Sequence, residues 1–132
     1  MIDAIAVPPV LHMTVGTLVL ITSLLAVLVT GQAAWKKEAL SPVARFLFVL
    51  FQVVLMVQVL IGIKLLDQGS GPLQLYIHYV GGLAPMAFVL LYYWFPSPQE
   101  VTRTRRATAV SVLSFVFVLM TFAIGGMYVP GG

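Results

Sequence analysis

The sequence predicts an all-α integral membrane protein, a four-helix bundle whose helices run up-down-up-down through the bilayer. Hydrophobic residues fill 61% of the 132 positions and charged residues only 8%, whereas soluble proteins carry about 25% charged residues. The whole chain, residues 1–132, is predicted to form one transmembrane domain. Four apolar segments, each close to the roughly 20 residues that cross a bilayer, define its spans, approximately 8–30, 43–66, 73–95 and 107–128.

Proline residues indicate where three of the helices begin. They precede or open the first, second and third spans, at Pro8, Pro9, Pro42 and Pro72. Proline is well tolerated in the first turn of a helix, because the N–H group that it lacks would have no intrahelical partner there.

The basic residues concentrate at two of the three connections between spans. Six of the seven flank the first and third connections: Lys36, Lys37, Arg45, Arg103, Arg105 and Arg106. Because Lys and Arg accumulate in cytoplasmic loops, the sequence predicts a multi-pass protein with both termini outside the cytoplasm. This bias also accounts for the net charge of +3, so no nucleic-acid partner is needed to explain it. The predicted surroundings are the lipid bilayer.

The chain contains no cysteine. It therefore forms no disulfide and no thiolate-held iron–sulfur cluster, and any cofactor must be held by His, Met, Tyr or a carboxylate. The four acidic residues lie at termini or connections, and the spans contain no pair of nucleophile and base. No catalytic residue is predicted, and an electron-transfer protein or subunit is favoured over a stand-alone enzyme.

Two histidines occur in matching contexts near the starts of the first and third spans. His12 is followed four residues later by Gly16, and His78 is followed four residues later by Gly82. This spacing puts each glycine on the face of its histidine, one helical turn deeper. The second and fourth spans also carry glycine near their outer ends, at Gly62 and Gly126. The two halves therefore resemble weak parallel repeats.

The two histidines are expected at one level, in the outer half of the bilayer, since the rise of a helix is about 1.5 Å per residue. The first and third helices of such a bundle are usually diagonal, roughly 14 Å apart, which suits a flat macrocycle between two imidazoles. We expect haem b, with iron ligands His12 and His78, and with Gly16, Gly62, Gly82, Gly126 and Lys64 as further cofactor-binding residues.

The roles of these surrounding residues differ. The glycines are expected to let a porphyrin edge approach the helix backbones, and Lys64 either meets a propionate or extends to the lipid headgroups. Gln58, one turn before Gly62, either bonds a ligand histidine or packs between helices. The alternative for the histidines themselves is a packing role at the membrane interface.

Residues 48–85, FVLFQVVLMVQVLIGIKLLDQGSGPLQLYIHYVGGLAP, combine a glutamine-rich helix ending in glycine, a short polar loop and a histidine-bearing helix. This pattern resembles one four-helix half of haem A synthase and is similar to small four-helix b-type cytochromes in general. The resemblance implies that His12 and His78 take the positions of haem-ligating histidines on alternate helices. The E-x-x-H-R motif and the extracellular cysteine pair of haem A synthase are absent, so it implies a haem-binding frame and not haem modification.

These features predict a membrane b-type cytochrome that exchanges electrons between a partner at the outer face and either quinone or a neighbouring subunit. A single haem near one surface leaves more than about 15 Å of a bilayer core about 30 Å thick uncrossed, so it does not carry electrons across the membrane. Two alternatives remain. One is a cofactor-free accessory or assembly subunit of a larger membrane complex. The other is a pigment-binding subunit in which each histidine holds its own chlorophyll-type magnesium.

Overall fold

Four α-helices make up the computed structural model, which describes residues 6–67 and 76–127 and, for residues 76–79 and 125–127, the backbone alone. The helices are Pro9–Trp35 (α1), Pro42–Asp67 (α2), Tyr76–Trp94 (α3) and Glu100–Met127 (α4). The prediction of an all-helical chain with four helices is therefore confirmed.

The first two helices begin where proline predicts. α1 starts with Pro9 in its first turn. α2 starts at Pro42, and the hydroxyl of the preceding Ser41 accepts a hydrogen bond of 3.1 Å from the backbone N–H of Ala44. This is the N-cap arrangement that satisfies one of the unpaired N–H groups of a helix start. The third predicted start, Pro72, lies outside the described residues.

Three helical segments are long and apolar enough to cross a membrane, namely Pro9–Trp35, Pro42–Asp67 and Glu100–Ile124. Large apolar side chains along them are exposed, among them Val10, Leu28, Leu60 and Val116. Such surfaces are suited to contact with lipid and costly in water. The described apolar part of α3, Val80–Trp94, is shorter, so the third predicted span, 73–95, stays a prediction.

α1 makes extensive contacts with α2 and α4, and α3 makes extensive contacts with α4 but few with α2. Small and hydroxyl-bearing residues fill much of the interior of α1 and α4. They are buried at Gly16, Thr22, Ser23, Ala26 and Thr30 on α1 and at Thr104, Ala107, Ser111 and Ser114 on α4. Small residues let membrane helices approach closely. Larger core residues come mainly from α2, where Phe48, Phe51 and Leu55 are buried.

The direction of the helices follows from a few neighbouring residues. Gly16 lies beside Phe122, and Gly31 lies beside Thr108. Early residues of α1 therefore meet late residues of α4, and late residues of α1 meet early ones. α3 shows the same relation to α4, since Gly81 lies beside Thr121 and the guanidinium of Arg106 donates to the carbonyl of Phe95, just after α3.

α4 begins at Glu100, seven residues before the predicted span at 107. The predicted boundary marks where the chain becomes apolar enough for the bilayer core, whereas the helix itself continues through the polar turns that carry Arg103 and Arg106. Thr104 anchors this extension, because its hydroxyl donates to the carbonyl of Glu38 at 2.8 Å.

Candidate functional site

His12 lies near the start of α1 with its imidazole ring against α2. The residue is partly buried. A methyl group on residue 62 would lie 3.1 Å from Cε1 of the ring, 3.8 Å from Nδ1 and 3.9 Å from Nε2. The absence of a side chain at Gly62 therefore makes room for the imidazole ring of His12. The structure thus brings together two of the predicted site residues, one from α1 and one from α2.

The side chain of Gln58 lies beside the same imidazole. Its Nε2 atom is 3.4 Å from Nε2 of His12, which is long for a hydrogen bond. The amide donates to the ring when the imidazole carries its proton on Nδ1. Within the described part of the chain, the buried Oε1 atom of Gln58 has no hydrogen-bond partner. Gln58 thus faces the histidine that the sequence singles out.

Gly16 is buried where α1 meets both α2 and α4. A methyl group on residue 16 would lie 2.9 Å from Nε2 of Gln58 and 4.0 Å from Cδ2 of Phe122. The sequence predicts that Gly16 and Gly62 admit a porphyrin edge. The side chains that lie against these two glycines are those of Gln58 and His12, so each glycine accommodates a side chain of the neighbouring helix.

Gly81, next to the predicted site residue Gly82, makes the closer approach between α3 and α4. A methyl group on residue 81 would overlap Oγ1 of Thr121 and lie 3.6 Å from the carbonyl oxygen of Phe117. A methyl group on residue 82 would lie 3.8 Å from Cγ2 of Thr121, an ordinary van der Waals separation. The H-x-x-x-G pattern selects Gly82, whereas the helix contact depends more strongly on Gly81.

Thr121 and Phe122, adjoining residues of α4, provide a common depth marker for α1 and α3. Phe122 lies beside Gly16, and Thr121 lies beside Gly81. Residue 12 precedes Gly16 by four positions, and residue 78 precedes Gly81 by three. With a rise of about 1.5 Å per residue, the two backbone positions therefore lie at nearly the same depth. The side chain of His78 and the surroundings of Gly126 lie outside the described residues.

Lys64 lies near the end of α2 and pairs with an acidic residue of the same helix. Its Nζ atom is 3.4 Å from Oδ2 of Asp67, and the side chain of Lys64 is 15% exposed while that of Asp67 is 66% exposed. An ion pair with one exposed partner contributes little to stability. The role of Lys64 toward a propionate stays a prediction.

Metal-ligand clusters of the common kind are absent from the residues that the structure describes, since no three His, Cys, Asp or Glu side chains there are grouped so that they could hold an ion. The predicted ligand set is smaller, with two imidazoles that complete the coordination of a porphyrin-bound iron. Of this pair, the structure describes the side chain of His12 alone.

Comparison with known protein families, with curated proteins and with solved structures finds no match to this chain. The resemblance to haem A synthase and to small b-type cytochromes therefore rests on the sequence pattern of residues 48–85.

Two hydrogen bonds between distant parts of the chain have no signal in the sequence. Tyr93 of α3 donates to Oε1 of Gln52 of α2 at 2.8 Å, across 41 residues. Thr104 donates to the carbonyl of Glu38 across 66 residues. The two residues of each pair belong to different parts of the chain, so no local sequence pattern predicts their contact.

Proposed function

We propose that this protein is a membrane b-type cytochrome in which His12 and His78 hold one haem. The observation that carries the proposal is the common depth of residues 12 and 78, measured against Thr121 and Phe122 of α4. Ligation by two imidazoles requires neutral histidines at one level on helices that flank the cofactor. The extensive contacts of both α1 and α3 with α4 support a placement of these two helices on either side of the cofactor.

The helix contacts also support the predicted up-down-up-down bundle. α1 and α3 each run opposite to α4, as the neighbouring residue pairs Gly16–Phe122 and Gly81–Thr121 indicate. The basic connections then lie at one end of the bundle, so the positive-inside rule puts both termini outside the cytoplasm. In this orientation the haem lies in the outer half of the bilayer. The paired H-x-x-x-G motifs make the two halves a weak repeat.

The chemistry of the described residues is compatible with this cofactor. His12 is a partly buried imidazole whose Nε2 atom lies 3.4 Å from the amide of Gln58. As an iron ligand through Nδ1, the ring would carry its proton on Nε2 and donate it to the oxygen of the turned Gln58 amide, as ligand histidines commonly do to a hydrogen-bonding neighbour. Gly16, Gly62, Gly82 and Gly126 are the positions proposed to admit the porphyrin edge, and the side chains of Gln58 and His12 that lie against Gly16 and Gly62 would move aside to admit it. Lys64 would offer a positive charge to a propionate. When bound, the haem supplies a one-electron redox couple.

Electron exchange at one side of the membrane is the function that this arrangement supports best. A haem in the outer half of the bilayer is accessible to an electron carrier at the outer face and to quinone or a neighbouring subunit within the membrane. The inner half of a core about 30 Å thick remains too wide for one cofactor to bridge.

The test is an absorption spectrum of the detergent-purified chain, oxidised in air and then reduced with dithionite, with pyridine haemochrome quantitation. We expect a sharp low-spin b-type α band and about one haem per chain. His12→Ala and His78→Ala should each abolish the band while the protein still inserts. Met13→Ala is the matched control, because Met13 adjoins His12 but is exposed, and it should keep the spectrum.

Other outcomes would point elsewhere. The absence of any chromophore, even with haem supplied during expression, would exclude the cytochrome. Two pigments that the alanine substitutions remove separately would identify a pigment-binding subunit, in which each histidine holds its own magnesium.

A cofactor-free accessory or assembly subunit is the second candidate, and one observation favours it. The imidazole of His12 and the amide of Gln58 lie in the spaces beside Gly62 and Gly16. His12 and Gln58 then form a polar contact that holds α1 against α2, as polar side chains do in many membrane helix pairs. In that case His12→Ala would lower stability in detergent, and the wild-type protein would be colourless.

A further inference from the structure

An open apolar groove of about 260 Å³ runs between the end of α3 and the first half of α4. Leu91 and Phe95 form part of one wall, and Ala109 and Leu113 form part of the other. Ala109 is exposed, and its small side chain leaves the groove open along α4. Arg106 is the one charged residue in the lining. It lies one helical turn before Ala109, toward the start of α4.

The guanidinium of Arg106 is held in place at this end of the groove. Its Nη1 atom donates a hydrogen bond of 2.6 Å to the carbonyl oxygen of Phe95, and the residue remains exposed. An arginine side chain has five N–H donors, so donors remain for a second acceptor. The structure thus places the positively charged guanidinium of Arg106 at one end of the apolar groove.

Charge at this end of the bundle favours an anionic partner. Arg103 lies 3.8 Å from a carboxylate oxygen of Glu100, so its charge is partly balanced. Arg105 and Arg106 have no acidic partner within ion-pair distance in residues 6–67 and 80–124. Basic pockets between membrane helices commonly receive anionic lipid headgroups.

We propose that this groove binds one anionic phospholipid, with its phosphate at the guanidinium of Arg106 and an acyl chain along Leu91, Ala109 and Leu113. Guanidinium groups recognise phosphate through parallel N–H···O bonds, and the apolar walls match a hydrocarbon chain. The inference does not depend on haem, because the groove is lined by residues 88–113 and the proposed haem ligands lie at the other ends of α1 and α3.

Native mass spectrometry of the full chain, incubated with phosphatidylglycerol or with phosphatidylcholine of the same acyl chains, tests the proposal. The wild-type protein should retain phosphatidylglycerol in preference to phosphatidylcholine. Arg106→Gln should reduce phosphatidylglycerol retention about fivefold, the effect of removing one basic group near a headgroup. Arg105→Gln is the matched control, because it removes the same charge from the same helical turn outside the groove lining, and it should reduce retention less than twofold.

A second variant tests the groove itself. Ala109→Leu fills the groove without adding charge, so it should lower retention of both lipids while Arg106 stays intact. Arg106→Lys keeps the charge and should retain more phosphatidylglycerol than Arg106→Gln. Circular dichroism checks that each variant stays helical, and if Arg106→Gln unfolds, the Ala109→Leu result decides.

Three results would overturn the proposal. Equal losses in Arg105→Gln and Arg106→Gln would indicate diffuse attraction to a basic surface. Equal retention of the two lipids by the wild-type protein would indicate that the headgroup is not recognised. Unchanged lipid retention in Ala109→Leu, accompanied by loss of a dimer, would indicate that the groove receives a second copy of the chain.

Discussion

The imidazole ring of His12 lies against Gly62, so that a methyl group on residue 62 would come within 3.1 Å of the ring atom Cε1. This separation is tighter than ordinary van der Waals contact, and the ring is also beside the amide of Gln58. Glycine at position 62 therefore determines how closely the histidine-bearing end of α1 approaches α2. The relationship holds whether His12 ligates haem or joins the two helices.

Gly62→Ala should move the His12 ring and destabilise the protein. The ring has to shift by a few tenths of an ångström, and overpacking of this kind costs about 1 kcal/mol at the lower end of its range. The measurement is unfolding by SDS titration in mixed micelles. In the haem-containing protein the shift should also alter the α band.

Gly31→Ala is the control for that substitution. A methyl group on residue 31 would lie 3.9 Å from Cγ2 of Thr108, an ordinary contact, and alanine is the better helix former. This variant should be as stable as the wild type or slightly more stable. A Gly62→Ala protein with wild-type stability and spectrum would show that the His12 ring is not confined.

Gly81→Ala and Gly82→Ala should differ sharply although the two residues are neighbours. The first substitution brings a methyl group into Oγ1 of Thr121, while the second meets Cγ2 of Thr121 at 3.8 Å. We expect Gly81→Ala to cost about 2 kcal/mol and Gly82→Ala to be nearly neutral, measured by the same SDS titration. Equal effects of the two substitutions would contradict the contact between α3 and α4 described here.

Some of the fold was predictable from the sequence for clear physical reasons. Apolar runs of membrane length predict the helices, and the proline positions predict the starts of α1 and α2. The predicted span begins at 107 whereas α4 begins at Glu100, because hydropathy detects the bilayer core and does not detect a polar extension of the same helix. Thr104, which anchors this extension, bonds to Glu38, 66 residues away, and no local pattern announces such a partner.

In the candidate site, too, some features were predictable from the sequence and others were not. The sequence selects His12 and Gly62 separately, because each stands out within an apolar span, and the structure brings the two side by side. It selects Gly82 through the repeat with Gly16, but the closer contact is at Gly81. Gly81 and Gly82 are adjoining positions that both approach α4, and only the way in which α3 and α4 cross determines which of them makes the closer contact.

Thr104→Val should weaken the connection between the start of α4 and the segment after α1. The hydroxyl of Thr104 is buried and donates to the carbonyl of Glu38 at 2.8 Å and to that of Glu100 at 3.1 Å. Loss of the bond to Glu38 should cost about 1 kcal/mol, measured by SDS titration.

Thr108→Val separates this effect from the loss of a hydroxyl within a helix. Thr108 bonds only to the carbonyl of Thr104, in its own helix, at 3.0 Å. Because that carbonyl already accepts a helical hydrogen bond, removal of the Thr108 hydroxyl should be nearly neutral. If both valine variants lose the same stability, the bond to Glu38 is not what stabilises this end of α4.

Lys37→Gly should stabilise the protein, since Lys37 has a φ angle of 55°. It follows the end of α1, where the N–H of Lys37 donates to the carbonyl of Ala34 at 3.1 Å and that of Glu38 to the carbonyl of Ala33 at 2.9 Å. This pair of bonds forms a Schellman motif, whose left-handed position normally carries glycine. Relief of the left-handed strain should add about 1 kcal/mol in thermal or SDS unfolding.

Lys36→Gly is the matched control for charge, because it removes one lysine at the adjacent position. Lys36 has right-handed helical angles, where glycine is less favourable than a residue with a side chain by about 0.5–1 kcal/mol. The two variants should therefore shift stability in opposite directions. A loss of stability in both would indicate that the lysine charges, and not the backbone angles, determine the effect.

Gln58→Met tests how much the amide beside His12 contributes. The 3.4 Å separation from His12 is too long for a strong hydrogen bond, and the buried Oε1 atom of Gln58 has no partner in the described part of the chain. Methionine has a similar length and flexibility and fills irregular spaces. Since replacing a poorly paired polar group with an apolar one of similar shape is nearly neutral, stability in SDS titration should change by less than about 0.5 kcal/mol.

A clear loss of stability would mean that the amide holds α1 against α2, as expected of a cofactor-free subunit. Unchanged stability with a shifted haem reduction potential would instead mean that Gln58 acts on His12 as an iron ligand.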